Sequence, residues 1–393
     1  MEVTDMNISE EVLNCREEVI ALRRDFHEYP ELGRKEFKTA EKIEKYLCAL
    51  GLSVRRCTPT GVMGILTGEL PGKTIMLRSD IDALPVEEET EVPYASKNPG
   101  VMHACGHDAH IAMLLTAAKI LTARKKEIKG TVVFVFQPDE EDAGAEWMIN
   151  EGALEHPKPD AAAGLHIWSG LESGTIGVIP GAIMAAAYYF KIRIHGKGGH
   201  GAMPYKAVNP IDAANQVMNA IHYFHTSVLD ARKPTVISIC KIHSGQVLNV
   251  IPEQLEMEGS VRCLHAEGEK ICEMLKSIMA NACALAGCTC DITMYKSNSV
   301  VYNDENMAKL VEKCASDVVG KENVKTQDVA VMMGDDFAEF SKAIPGVYYF
   351  IGTANREKNS TYEHHNPKFN IDEETMLTGV QMHVSTTFTF LNT

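Results

Sequence analysis

The chain has 393 residues, of which 45% are hydrophobic, and its formal net charge is −15. This length gives an expectation of two or three domains, with enough apolar residues for a large core. The acidic balance argues against nucleic acid or an anionic membrane surface as a partner, and no apolar run approaches the length of a membrane span.

The N-terminal residues and the cysteine content indicate the cellular compartment of the protein. Acidic residues, Glu2 and Asp5 among them, interrupt the first residues, so no signal peptide is predicted. The eleven cysteines are an odd number in a long chain. A disulfide framework is therefore not expected, and the sequence predicts a protein of the reducing cytoplasm.

The first part of the chain alternates helices and strands. Apolar positions at helical spacing predict a helix over 9–28, and a second helix is predicted over about 35–50. The segments that follow are predicted as strands over 62–68, 74–79, 131–136 and 161–166, with a helix over 108–124. This alternation predicts a mainly parallel sheet with helices on both faces, whose ligands bind beyond the carboxyl ends of strands.

The pattern changes near residue 181. A strongly alternating segment over 186–195 is followed by a glycine-rich bend. Next come a predicted helix over 208–225, strands near 234–243 and 254–263, a helix over 267–286 and a strand near 288–294. This β-α-β-β-α-β order is that of a ferredoxin-like unit. We therefore expect an inserted domain over 181–296 within a first domain made of 1–180 and 297–393, which ends in a helix over 372–391.

The segment 103–110, His-Ala-Cys-Gly-His-Asp-Ala-His, places a thiol, three imidazoles and a carboxylate in eight residues. Cys105 and His107 alternate, so on an extended segment they would point the same way. Thiolate and imidazole suit Zn²⁺, Ni²⁺, Co²⁺ and related ions. His166, at the end of a predicted strand, and His365 could complete the set. Each of these residues alone is more often an ordinary core or loop residue, but the cluster favours a metal centre.

An acidic pair, Glu140 and Glu141, follows the predicted strand 131–136. Adjacent residues at a strand end point in opposite directions, so one could bind metal while the other stays free. A free glutamate beside a metal-activated water can take its proton and later give it to a leaving amine. Asp82, which ends another predicted strand, could orient a ligating imidazole; loop capping is an equal alternative for it.

Three residues of the predicted insert carry weaker signals. His200 follows a run of glycines that lets a backbone and an imidazole approach a ligand, although, taken alone, this segment is better explained as a simple tight turn. Arg262, near a strand end, could make a bidentate hydrogen bond to a carboxylate, but such an arginine is more often a surface charge. Asn249 has no independent signal.

Together these motifs resemble the family of dinuclear-metal aminoacylases and carboxypeptidases. The similarity is strongest to its branch of hippurate hydrolases, N-acyl-L-amino-acid amidohydrolases and hydrolases of auxin–amino-acid conjugates. It runs from 27–32 to the motif around His365 and is most specific in 78–85 and 103–110. Gln137-Pro138-Asp139-Glu140-Glu141 and Gly164-Leu165-His166 are nearly as specific.

The resemblance implies a fold and a site. The fold class is α/β, with a mainly parallel-sheet, three-layer catalytic domain and an inserted ferredoxin-like α+β domain that serves as lid and dimerises. The implied ligands of two divalent ions per subunit (Mn²⁺, Zn²⁺, Co²⁺ or Ni²⁺) are Cys105, His107, Glu141, His166 and His365. Glu140 is implied as general base and Asp82 as a supporting carboxylate. His200 is implied near the scissile carbonyl, and Asn249 and Arg262 in substrate binding.

The implied activity is metal-dependent hydrolysis of N-acyl amino acids (acetyl, benzoyl or similar) to a carboxylate and a free amino acid, with Glu140 activating the attacking water. The alternatives are a metallo-carboxypeptidase or dipeptidase acting on short peptides, and a non-catalytic metal-binding scaffold, against which the intact Glu140 argues. The implied assembly is a homodimer through the lid domain. Two departures from the family pattern could alter substrate fit: Asp335 stands where glutamate is usual, and Gly201 where alanine is usual.

Overall fold

The computed structural model describes residues 6–393 and divides them into two compact units. The first unit comprises the chain up to residue 183 together with 301–330 and 335–393, and the second comprises 184–300 and 331–334. Residues 1–5, within the segment where no signal peptide is predicted, lie outside the described residues. Within 6–393, no helix has both the length and the apolar character needed to cross a membrane. All eleven cysteines fall in this range and are free thiols.

The elements are numbered in chain order. The strands are β1 Ser53–Arg56, β2 Val62–Thr67, β3 Leu70–Asp80, β4 Lys129–Gln137, β5 Ala161–Glu172, β6 Ile176–Gly177, β7 Gly181–Met184, β8 Ala186–His195, β9 Gly199–His200, β10 Thr235–Ser244, β11 Val250–Ile251, β12 Gln254–Cys263, β13 Thr289–Asn298, β14 Val301–Asn303, β15 Val324–Lys325 and β16 Gly346–Ala354. The helices are α1 Glu10–Leu13, α2 Arg16–Glu28, α3 Phe37–Ala49, α4 His107–Ala123, α5 Gly144–Asn150, α6 Pro210–Tyr223, α7 Gly268–Leu285, α8 Glu305–Val319, α9 Phe337–Ala343 and α10 Thr375–Leu391.

The first unit is built on an eight-stranded sheet in the order β1-β2-β4-β3-β5-β16-β6-β15. The central pairs β4–β3, β3–β5 and β5–β16 are parallel, as is β6–β15. The pairs β1–β2, β2–β4 and β16–β6 are antiparallel. The prediction of a mixed α/β fold with a mainly parallel sheet is confirmed.

Both faces of this sheet are covered. Strand β4 is a continuous apolar run, as expected for a strand buried on both sides. Val132, Phe134 and Phe136 pack in the main core cluster with the residues of α4 and α10. Val133 and Val135, which alternate with them, are also fully buried, and α5 and α9 pack on the sheet as well. The loops that follow the carboxyl ends of β3, β4 and β5 therefore begin from a sheet that is packed on both faces.

The second unit contains a four-stranded antiparallel sheet in the order β10-β12-β8-β13. The buried residues of β8 alternate (Tyr188, Phe190, Ile192, Ile194) and pack in one cluster with apolar residues of α6 and α7. A separate two-stranded ribbon joins β9 to β11. Strand β10 is at the edge of its sheet, so within the described residues its outer side has no strand partner.

Two element boundaries differ from the predictions. The helix predicted over 9–28 is two helices, because the backbone leaves the α-helical pattern at Asn14 and Cys15. The strand predicted to end at His166 continues to Glu172. It continues because β16 stays paired with it beyond that residue, with Gly352 opposite Trp168.

Candidate metal centre

The segment between Cys105 and His107 is a sharp turn rather than an extended stretch. His107 is the first residue of α4, and Gly106 caps that helix with φ at +86°, in the left-handed region. A Cβ at position 106 would lie 2.2 Å from Cδ1 of Ile167. The predicted extended geometry was therefore wrong, yet the two side chains still meet because glycine permits both the turn and the close packing.

Five side chains that the sequence singles out as metal ligands converge at this turn. Ligand atoms of Cys105, His107 and His166 lie within 4.8 Å of one another, and so do those of Cys105, Glu141 and His365. A third group consists of His107, Glu140 and Glu141. Because Cys105, His107 and Glu141 each belong to two of these groups, the groups are contiguous.

The imidazole of His107 is oriented by Asp82. Its Nδ1 lies 2.9 Å from the carbonyl oxygen of Asp82 and 3.1 Å from Oδ1 of the same residue, so Nδ1 carries the proton and donates. The other carboxylate oxygen of Asp82 accepts from the backbone N–H of Glu141 at 3.3 Å. Nε2 of His107 is buried and has no hydrogen-bond partner. A buried ring nitrogen that makes no hydrogen bond, on a ring oriented by a carboxylate, fits a metal ligand and its orienting partner.

The other two predicted histidine ligands, His166 and His365, are each held by contacts of their own. Nδ1 of His166 lies 2.5 Å from the carbonyl oxygen of Ile167, while its Nε2 lies 3.4 Å from Sγ of Cys105. The backbone N–H of His365 donates to the carbonyl of Ala104 at 2.8 Å, which ties this loop to the turn before α4. Nε2 of His365 lies 3.1 Å from Oε1 of Glu141.

The pKa directions describe a site that attracts positive charge. Hydrogen bonds to Cys105 and Glu141 raise the pKa of His365 to about 10. Burial alone would lower the pKa of His107, but Asp80 and Cys105 outweigh it and hold that pKa well above its usual value. Burial, with the neighbouring His110, holds the pKa of His166 well below its usual value, so that ring is neutral as a ligand must be. Divalent cations would replace the protons on the first two rings.

Glu140 and Glu141 lie in a single helical turn over Glu140–Asp142 rather than at a strand end. One carboxylate oxygen of each lies within 4.8 Å of a nitrogen of His107, so the two side chains do not diverge as predicted. Oε1 of Glu140 lies 3.4 Å from the backbone N of Asp336. Burial, followed by the nearby Asp335, raises the pKa of Glu140 well above its usual value. A carboxylate that holds a proton readily is suited to proton transfer.

Asp80 and His110, two ligand-type residues to which sequence reasoning assigned no role, lie next to His107. Asp80, His107 and His110 have ligand atoms within 4.8 Å of one another. The carboxylate of Asp80 accepts from Nδ1 of His110 at 2.6 Å and from Nη1 of Arg78 at 2.7 Å. Nε2 of His110 accepts the backbone N–H of Ile167 at 3.0 Å. Because their ligand atoms already make these hydrogen bonds, Asp80 and His110 support the candidate metal centre rather than bind a metal themselves. Their sequence signal was the spacing of Arg78, Asp80 and Asp82 along one side of a strand.

The predicted substrate residues belong to the second unit. His200 ends β9 opposite Val250 and is exposed, and its Nδ1 accepts from the backbone of Ala202 at 3.0 Å. The carbonyl of Asn249 accepts from Gly201 at 2.8 Å. His200 and Asn249 line one open depression of about 520 Å³. Nη2 of Arg262, on β12, donates to the hydroxyl of Tyr189 at 3.0 Å.

Comparison with known proteins identifies the family. Residues 76–388 match the model of Peptidase family M20/M25/M40. The chain is 37% identical over 392 residues to thermostable carboxypeptidase 1 of Saccharolobus solfataricus, covering 98% of each chain. It is 43% identical over 263 residues to an N-acyl-L-amino acid amidohydrolase of Geobacillus stearothermophilus, covering 66% of this chain and 70% of the relative. A crystal structure of a Bacillus subtilis protein, described as a dinuclear metal binding peptidase from the M20 family, superposes with a TM-score of 0.83 at 33% identity, over 97% of this chain and 99% of the other.

The chain belongs to Peptidase family M20/M25/M40 and is a hydrolase. The family resemblance inferred from the motifs is confirmed. The donor set described above, in which Nε2 of His107 is buried and makes no hydrogen bond, fits the divalent metal ions of that family.

Proposed function

We propose that this protein is a metal-dependent amidohydrolase that cleaves N-acyl amino acids to a carboxylate and a free amino acid. The observation that carries the proposal is the placement of Glu140 beside a convergent set of thiol, imidazole and carboxylate donors. A scaffold that only bound metal would not need this additional half-buried carboxylate, whose pKa is raised. The relative at 43% identity is named for this activity.

Cys105, His107, Glu141, His166 and His365 would hold two divalent ions. Thiolate and imidazole donors suit Zn²⁺, Co²⁺ and Ni²⁺, and the carboxylate also suits Mn²⁺. When bound, such ions polarise a carbonyl group and lower the pKa of water.

The residues of the chain then have distinct tasks. Asp82 keeps the proton of His107 on Nδ1, and so leaves Nε2 free to ligate. A carboxylate oxygen of Glu140 takes the proton of the attacking water and passes it to the nitrogen of the leaving amine. Asp335 favours the protonated state of Glu140 between these two steps, because it raises the pKa of that group.

We further propose that the segment 181–296 acts as a lid and a dimerisation domain. In this proposal His200 stabilises the scissile carbonyl, while Asn249 and Arg262 bind the amino-acid moiety. The exposed edge strand β10 supports a homodimer, because Val236 and Ile242 on it are 40% and 44% exposed, and an open strand edge readily pairs with another. Light scattering on Ile242→Lys tests this assembly: a monomer supports pairing through β10, and an unchanged dimer contradicts it.

The test of the activity is a substrate panel. Metal-free protein is reconstituted in turn with Mn²⁺, Zn²⁺, Co²⁺ and Ni²⁺ and assayed on hippurate, N-acetyl amino acids and dipeptides. Release of free amino acid from the first two substrates, abolished by chelation and restored by metal, supports the proposal. Tight metal binding without hydrolysis of any member contradicts it and supports a scaffold.

A second candidate function is a metallo-carboxypeptidase or dipeptidase. The observation that favours it is the 37% identity to a named carboxypeptidase over almost the whole chain. The same donors and the same base would serve a peptide bond. A kcat/KM that is higher for dipeptides than for every N-acyl amino acid in the panel would establish this function instead.

A further inference from the structure

We propose that Arg78 is a positioning residue that acts on both sides of the reaction centre, on Glu140 through Asp336 and on the strand of His166 through Asp80 and His110. This inference rests on the proposed function. Arg78 lies on β3 and its side chain is completely buried. It contacts neither the predicted metal ligands nor Glu140 in any hydrogen bond of the described residues, so its effect must pass through other side chains.

The guanidinium of Arg78 uses all three of its nitrogens. Nε donates to Oε1 of Gln137 at 2.8 Å, Nη1 donates to Oδ2 of Asp80 at 2.7 Å, and Nη2 donates to Oδ1 of Asp336 at 2.9 Å. These partners come from three separate segments of the chain. One rigid planar group therefore fixes the distances between them.

The first path leads to Glu140. Oδ2 of Asp336 accepts from the backbone N–H of Ala145 at 2.7 Å, and both of its carboxylate oxygens lie 2.8 Å from Nε2 of Gln137. The backbone N of Asp336 lies 3.4 Å from Oε1 of Glu140. Asp336 thus holds both ends of the short segment that carries Glu140, and Arg78 holds Asp336.

The second path leads to His166. Oδ1 of Asp80 accepts from Nδ1 of His110 at 2.6 Å, and Nε2 of the same ring accepts the backbone N–H of Ile167 at 3.0 Å. Ile167 is the residue directly after His166. The pairing of β3 with β5 ends at Arg78 and Gly164. Beyond that point Asp80 holds, through His110, the backbone directly after this predicted ligand, and Nη1 of Arg78 holds Asp80.

Lysine at position 78 would keep the charge of this arginine but not its geometry. The lysine ammonium group would supply the positive charge that Asp80, Asp335 and Asp336 require in a buried site. It has a single nitrogen, however, and cannot bond Asp80, Gln137 and Asp336 at once in a fixed plane. Arg78→Lys consequently separates a loss of geometry from a loss of charge.

The experiment compares Arg78→Lys, Asp336→Asn and His110→Asn with the wild type. Cobalt affinity is measured by titrating Co²⁺ into the metal-free protein against a chelator, and kcat and KM are measured on the best amide of the panel. Partners that support metal ligands typically contribute 10- to 100-fold, so Arg78→Lys should lower both kcat and Co²⁺ affinity by about 10- to 100-fold, with KM changed by less than about two-fold. Asp336→Asn should reproduce only the kcat loss, and His110→Asn, which cannot reach Ile167, only the affinity loss.

Val311→Ala is the control for general destabilisation. Val311 is fully buried in α8, and its truncation lowers stability without touching the network. If Arg78→Lys matches this control in Co²⁺ affinity, or in kcat, at the same interval below the melting temperature, the proposed action on both sides of the centre is wrong. If the wild type hydrolyses no amide, the proposed function fails. In that case the Co²⁺ affinity of Arg78→Lys still tests the role of Arg78, and an affinity equal to that of the wild type overturns it.

Discussion

Gly106 offers the sharpest test of how the local backbone builds this centre, through the substitution Gly106→Ala. The residue lies between Cys105 and His107 and has a φ of +86°. An L side chain in this left-handed region costs about 1–2 kcal/mol. The new Cβ would also lie 2.2 Å from Cδ1 of the buried Ile167, and such overpacking adds about 1–3 kcal/mol.

The expected total is a loss of about 2–5 kcal/mol in the free energy of unfolding, or roughly 4–10 °C in melting temperature for a unit of this size. Gly51→Ala is the matched control. Gly51 also has a positive φ, +77°, but nothing lies within 4 Å of its Cβ position. Gly51→Ala should therefore lose only the free energy that the left-handed backbone conformation costs, about 1–2 kcal/mol.

The assay is thermal and urea unfolding of both variants, followed by Co²⁺ titration of the folded proteins. Gly106→Ala should also weaken Co²⁺ binding, because the packing conflict displaces the backbone that carries two predicted ligands, whereas Gly51→Ala should not. Equal losses of stability in the two variants would refute the steric argument. Unchanged Co²⁺ affinity in a destabilised Gly106→Ala would refute the link between this turn and the centre.

Three further predictions concern single side chains. Glu140→Gln should lower kcat by about 10²- to 10⁴-fold, because an amide cannot accept the proton, while elemental analysis finds the metal content of the wild type; retained turnover would reject Glu140 as the base. Asp82→Asn should weaken Co²⁺ binding by about 10- to 100-fold, since a neutral amide is a weaker acceptor for Nδ1–H of His107 than a carboxylate and its NH₂ group cannot accept from the backbone N–H of Glu141; an unchanged competition titration would show that the backbone carbonyl suffices. Burial lowers the pKa of His383 to about 3, so the folded protein binds fewer protons there than the unfolded chain, whose histidine titrates near 6.5. The stability contributed by this neutral ring is complete above about pH 6.5 and decreases as the pH falls, by about 3 kcal/mol at about pH 4.5. In urea unfolding, the free energy of unfolding of His383→Leu should decrease less between about pH 6.5 and pH 4.5 than that of the wild type. An equal decrease in both proteins would contradict the low pKa of His383.

The sequence alone was sufficient for the features that depend on local spacing. Alternation in β8 and the helical spacing of α6 and α7 predicted the order of elements in the second unit. The compact motif over 103–110 predicted metal chemistry, because ligand types and their spacing are properties of a short segment. The segment 131–136 was predicted as a strand and forms the centre of β4.

Other features were decided only by the tertiary structure. The left-handed turn at Gly106 and the extension of β5 beyond His166 depend on packing against Ile167 and on pairing with β16. The network of Arg78 joins Asp80, Gln137 and Asp336, which lie far apart along the chain. Periodicity within a segment carries no information about which distant segments meet, because those contacts form only when the parallel strands of the sheet bring their carboxyl ends together.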